Sequence, residues 1–153
     1  MQTKQKYLTE SLRHIEIADH ITYVTFPLVN EKKLLLKIFE EIHKSVISLI
    51  FASLTYENRK RKIKLYKDNN KNLKNFIKIS NNYNIKKEEI KKIIEIIEIN
   101  SRHKTSAIEF SRKDKVIIMQ DDLKIMALDI QKIKEYLGLC KALFIKINMN
   151  LNN

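Results

Sequence analysis

The chain of 153 residues contains one cysteine, one glycine, one proline and no tryptophan. A lone Cys140 excludes a disulfide framework and a zinc-ligand cysteine set, and it favours a reducing compartment, so a cytoplasmic protein is expected. With so little glycine and proline, the turn chemistry of an all-β sandwich or barrel is missing. A glycine-rich phosphate loop and a nucleophile elbow are missing as well, and no cofactor is expected. The longest apolar run, residues 46–54, is far shorter than the ~20 residues of a membrane-spanning helix and is interrupted by Ser48 and Ser53, so no membrane span is expected. The first residues lead into Glu10, Arg13 and Glu16 rather than into an apolar stretch, which is not the pattern of a signal peptide.

Hydrophobic residues make up 44% of the chain and charged residues 31%, a globular balance at the length of one domain, so residues 1–153 are read as a single unit with one core. The expected fold is mainly α: a bundle of about five helices with a small two-stranded β-hairpin before the last helix. Leu12, Ile15, Ile17, Ala18, Ile21 and Val24 recur at helical spacing over residues 9–25, and Pro27 ends or kinks that helix near Phe26. Asn30 is a candidate N-cap for a second helix carrying Leu35, Ile38, Ile42, Val46, Leu49, Ser53 and Tyr56, and so short a connection makes an antiparallel hairpin.

A break at residues 67–71 precedes a shorter helix with Leu73, Phe76 and Ile77. The next helix, residues 86–101, turns Ile90, Ile93, Ile94 and Ile97 inward. Residues 115–120 and 123–128 are read as the hairpin, with Val116, Ile118, Ile125 and Met126 covering one end of the bundle. Asp129 caps a last helix striped by Ile130, Ile133, Leu137, Cys140, Phe144 and Ile147, and Cys140 is read as core.

The net charge is +12, and lysine, isoleucine and asparagine are abundant, as an AT-rich genome would make them. Drift scatters lysines whereas a binding surface gathers them, so position is the informative quantity. Residues 57–78 hold nine Lys and Arg against two Asp and Glu, and residues 102–115 hold five against two, while the rest of the chain is nearly neutral. Arg59, Lys60, Arg61, Lys62, Lys64 and Lys67, with Tyr66 interleaved as a stacking surface, make a candidate RNA footprint, with Arg112 and Lys113 assisting. An acidic protein partner or anionic lipid would use the same residues.

Around Glu109 the second stretch, with His103, Lys104 and Lys115, reads either as an anion pocket or as a group that caps a helix and fixes a loop. Glu40 and His43 have the Glu-x-x-His spacing of di-iron bundles, and Glu16 and His20 lie at i and i+4. No second Glu-x-x-His exists, so no metal site is expected.

The stretch HKTSAIEFSRKDKVII, residues 103–118, together with ADHITYVTFPLV, residues 18–29, resembles a family of short archaeal helical proteins without an established activity. The helical hairpin followed by further helices is similar, more loosely, to HEPN domains, bundles that often dimerise and act as ribonucleases or toxins. That resemblance implies a homodimer and a catalytic Arg–His pair. Arg13 and His20, with six residues between them, match the family's spacing and would stabilise phosphate charge and move a proton. The family carries its motif late in the domain, whereas this pair falls in the first helix. A non-enzymatic RNA- or polyanion-binding module is therefore the leading expectation, with an interaction bundle and a ribonuclease as alternatives.

Overall fold

A computed structural model describes residues 3–60, 64–105, 108–112, 115–119 and 125–152. Helix α1, Lys4–His20, passes through one π turn, Ile21–Thr25, into the short α2, Phe26–Val29. After α3, Lys33–Arg59, come α4, Asn69–Ile79, a 3-10 turn, Ser80–Tyr83, and α5, Lys87–Thr105. Strands β1, Ile108–Arg112, β2, Lys115–Met119, and β3, Ile125–Leu128, precede α6, Ile130–Leu151. The protein is a bundle of five long helices with a small antiparallel sheet before the last one.

Pro27 does not end the first helical stretch as its ring chemistry suggested. The backbone widens instead, with Phe26 N–H bonding back to the Ile21 carbonyl, and Pro27 falls in the first turn of α2, where its missing donor costs nothing. Asn30 is likewise the C-cap of α2 rather than the N-cap of α3. Its φ of 52° is left-handed, a conformation asparagine tolerates, and its N–H reaches the Phe26 carbonyl at 2.7 Å.

Helices α1 and α3 form the expected antiparallel hairpin. The rings of Tyr7 and Phe51 stack at 5.5 Å, the Ser11 and Ser45 hydroxyls meet at 2.8 Å, and His14 Nδ1 lies 2.5 Å from Glu41. The stripe Leu35, Ile38, Ile42, Val46, Leu49 and Ser53 is buried as its spacing predicts. Helix α6 runs beside α3, with the Tyr136 ring edge-on to Phe39 at 6.3 Å and the Cys140 thiol facing the Ile42 carbonyl at 3.7 Å. Asp129 caps it, accepting from Lys132 N–H at 2.8 Å.

Two details of register differ from expectation. On α5 the buried residues are Ile93, Ile96 and Ile99, while Ile94 is exposed, because packing against both α3 and α6 turns the inner face toward the 96 and 99 positions. The hairpin formed by β2 and β3, with Val116 opposite Leu128, gains a third strand, β1, on the far edge of β2. Val116, Ile118 and Leu128 are buried, and β2 packs against α3 and α5, so the sheet closes one end of the core. The side chains of Ile125 and Met126 lie outside the described residues.

Candidate nucleic-acid interface

The basic segment starts where α3 ends. Arg59 and Lys60 are exposed in its last turn and at its C-cap, where cations are favoured by the helix dipole, and Lys60 Nζ sits 4.2 Å from the Tyr56 ring centroid. Arg61 and Lys62 lie outside the described residues. From Lys64 onward two asparagines of α4 fix the path of the chain. The Asn72 carboxamide is buried, accepts from Tyr66 N–H at 2.9 Å and donates to the Tyr66 carbonyl at 2.7 Å. Asn75 donates to the Lys64 carbonyl at 3.1 Å. Asp68 caps α4 by accepting from Asn70 N–H at 2.9 Å. Asn72 and Asn75, just beyond the stretch 67–71 that reads as a break in the sequence, thus clamp the backbone at Tyr66 and Lys64.

Arg59, Lys60, Lys64, Lys67, Lys71, Lys74 and Lys78 are all exposed, and among the described residues none of them makes an ion pair. Both carboxylates of the segment are committed elsewhere. Asp68 is the helix cap, and Glu57, buried, accepts a hydrogen bond from the Tyr83 hydroxyl at 3.0 Å. Burial, followed by the Glu57 charge, pushes the Tyr83 phenol far above its ordinary range, so it remains a donor. Outside the segment the pattern is mixed: Lys92 pairs with Glu135 at 3.2 Å, Arg102 with Glu98 at 2.9 Å and Lys146 with Glu89 at 2.5 Å, whereas exposed Arg13, Lys33, Lys87 and Lys91 make no ion pair among the described residues, so it is the density of cations rather than their lack of partners that sets residues 57–78 apart.

Beside this loop a groove of about 290 Å³ lies between α3, α4 and α5. Its walls are Ile47, Ile50, Phe51, Leu73 and Ile97, and its polar groups are His43, Asn69, Asn70, Asn72, Asn100 and Ser101. Lys67 and Lys71 flank the two α4 asparagines in sequence. A second hollow of about 420 Å³ shares His43, Ile47 and Asn100 with the first and opens toward His14, Glu40, Lys44 and His103. Three of the four histidines therefore converge here, a grouping invisible in the sequence because they come from α1, α3 and α5.

At that histidine end Glu41 is buried and receives His14 at 2.5 Å and Lys37 at 3.0 Å, with Lys44 3.9 Å away. Burial alone would raise the Glu41 carboxyl, but the hydrogen bonds from His14 and Lys37 and the Lys37 charge outweigh it and hold the group below the usual carboxylate range. His103 Nε2 is 3.6 Å from Glu40, so the start of the second basic stretch ties α5 to α3. Among the described residues no three His, Cys, Asp or Glu side chains are placed to hold a metal ion.

Arg13 and His20 are exposed on α1, and neither lines the groove or the hollow beside it. Lys113 lies outside the described residues, as do the side chains of Lys104, Glu109 and Arg112; the Arg112 backbone closes β1 opposite Lys115. Asn69, Asn70, Asn72 and Leu73 of the first basic stretch line the groove, and His103 of the second lines the hollow beside it. Cys140 is buried in the core, and burial, offset in part by a Ser45 hydrogen bond, pushes its thiol up to about 12. No helix among the described residues is long and apolar enough to cross a membrane.

Comparison of the chain with protein-family models, with curated proteins and with solved structures gives no match.

Proposed function

We propose that this protein is a non-enzymatic helical module that binds RNA through residues 57–78, with residues 102–115 assisting. The observation that carries the reading is the concentration of seven exposed cations in one segment, from Arg59 and Lys60 at the end of α3, through Lys64 and Lys67 on a loop that Asn72 and Asn75 hold in place, to Lys71, Lys74 and Lys78 on α4. Clustered cations release condensed counterions when they meet phosphates, and this release supplies affinity that depends little on sequence. A pre-arranged loop spares the ordering cost that a mobile basic tail would incur on binding. Tyr66, 39% exposed, adds a ring on which a base can stack.

Binding of labelled single-stranded RNA, followed by anisotropy between about 50 and 200 mM salt, tests the reading. A steep salt dependence is expected. The variant with Lys64, Lys67 and Lys71 changed to Ala should bind more weakly and with a log–log slope shallower by about 2, since each contact to a single strand contributes about 0.7. Equal affinity and slope in that variant would refute the proposal.

One surface favours a second reading, an interaction or self-associating bundle. At the turn from α1 into α2, Tyr23, Val24, Leu28 and Val29 are exposed, and Leu28 is 82% accessible. Sedimentation across a concentration series, with Leu28→Ser as control, checks it: association that the variant abolishes supports this reading.

A further inference from the structure

The geometry points to the groove between α3, α4 and α5 as a pocket for one unstacked nucleobase of the bound strand, a site that rests on the RNA-binding reading and adds base recognition to it. The starting observation is Asn100. It is 8% exposed, it faces both the groove and the hollow beside it, and its carboxamide makes no hydrogen bond among the described residues. Its polar atoms face the solvent of the groove rather than another protein group, so they are open to a ligand that can replace the water there.

The surroundings define the ligand. Apolar walls from Ile47, Ile50, Leu73 and Ile97, with Phe51 held by the Tyr7 ring stacked on it at 5.5 Å, accept a flat apolar face. Carboxamides present a donor and an acceptor side by side, the pattern that complements the edge of a base. Asn100 offers that pair from the floor, and Asn69 and Asn70 offer it from the rim. At about 290 Å³ the groove is at the small end of the ~300–1,000 Å³ range of ligand sites, enough for a single base. The charges suit the rest of a nucleotide: exposed Lys67 and Lys71 stand beside the asparagines, and Lys44 stands at the opposite end. A base splayed into the groove leaves its flanking phosphates near these cations, the arrangement by which single-stranded RNA is commonly read.

The test compares an oligonucleotide with the same strand made abasic at every position, which keeps all phosphates and removes all bases. Anisotropy titrations use the native protein, Asn100→Ala and, as a surface change that leaves the core intact, Asn69→Ala. The intact strand should bind about tenfold more tightly than the abasic one, the worth of one seated base. Asn100→Ala and Asn69→Ala should each shrink that preference while leaving affinity for the abasic strand unchanged. If the two strands bind equally well, the base pocket is refuted and the electrostatic reading survives. A preference for the intact strand that neither variant alters also refutes it, by placing base recognition elsewhere, as on Tyr66. If neither strand binds, both readings fall.

Discussion

Replacing Asn72 by Ala tests whether the loop that displays the cations is held or merely adjacent. The side chain makes two hydrogen bonds, to Tyr66 N–H at 2.9 Å and to the Tyr66 carbonyl at 2.7 Å, and the residue is 2% exposed. Each such bond contributes roughly 0.5–1.5 kcal/mol net. Tyr66 is accessible enough for water to take over part of the loss, which sets the expected cost at about 1–2 kcal/mol. For a chain of this length that lowers Tm by roughly 2–8 °C. Asn75→Ala removes one bond at the surface and should cost under about 0.5 kcal/mol. Circular dichroism melts give the stability change, and amide exchange at Tyr66 reports loop opening directly. RNA affinity should fall in Asn72→Ala while its salt slope stays constant, because no charge has been removed. Unchanged exchange at Tyr66, with Tm within about 1 °C of the native protein, would refute the claim that these bonds hold the loop.

The other expectations concern the frame around the site. Gly138 lies inside α6, and a Cβ built there meets nothing within 4 Å, so Gly138→Ala should stabilise by about 1 kcal/mol and raise Tm by roughly 2–4 °C. The Glu41 carboxyl is held below its ordinary range in the folded state, so its contribution is present above the unfolded value of about 4.3 and lost as pH falls through the lower folded value. The stability gap between the native protein and Glu41→Gln should therefore be constant near neutrality and shrink below about pH 4 in urea melts at stepped pH. Cys140, buried with a thiol raised to about 12, should resist a thiol-specific disulfide reagent at pH 8 in the folded protein and react promptly in guanidinium. Unpaired cations repel, so Tm should rise between about 10 and 150 mM salt, and less so in Lys67→Glu/Lys71→Glu; an equal rise in both proteins would show that the repulsion lies elsewhere.

Much of the frame is legible in the sequence because it is local. The period of Leu35, Ile38, Ile42, Val46 and Leu49 fixes a buried helical face, and Asp129 announces the start of α6 through its own cap. Failures occur where two local rules compete. Asn30 satisfies both an N-cap and a left-handed C-cap preference, and the preceding α2 carbonyl at Phe26 decides for the second. The alternation Ile108, Glu109, Phe110, Ser111 is a strand pattern, but without the β2 edge to pair with it carries no weight, and the third strand goes unread. The candidate interface divides in the same way. Arg59, Lys60, Lys64 and Lys67 are contiguous and can be counted from the sequence, whereas the groove draws on residues near positions 50, 70 and 100 that only packing brings together.

The placement of charge is more informative than its amount. Surface ion pairs such as Lys92–Glu135 add only about 0–1 kcal/mol each, so their presence over most of the bundle does little to hold it together. Outside residues 57–78 and 102–115 the chain is nearly neutral because cations and carboxylates are close to equal in number, whether or not they pair. In residues 57–78 the two available carboxylates are withdrawn from pairing, Glu57 into a buried bond with Tyr83 and Asp68 into the cap of α4. The cations nearby are then left to repel one another, a cost that the α3 dipole offsets at Arg59 and Lys60 and the Tyr66 ring, 5.3 Å from the Lys71 Nζ, offsets at Lys71, while Lys64 and Lys67 have no such contact among the described residues. A bias toward lysine codons would account for the residues being lysine. The same bias would supply asparagines as well, so the informative feature is their placement: two fix the loop and a third lines the groove alongside. Those carboxamides stand in or next to the basic segment, and under the proposed function a ligand with phosphates on its backbone and polar edges on its bases would complement both features at once.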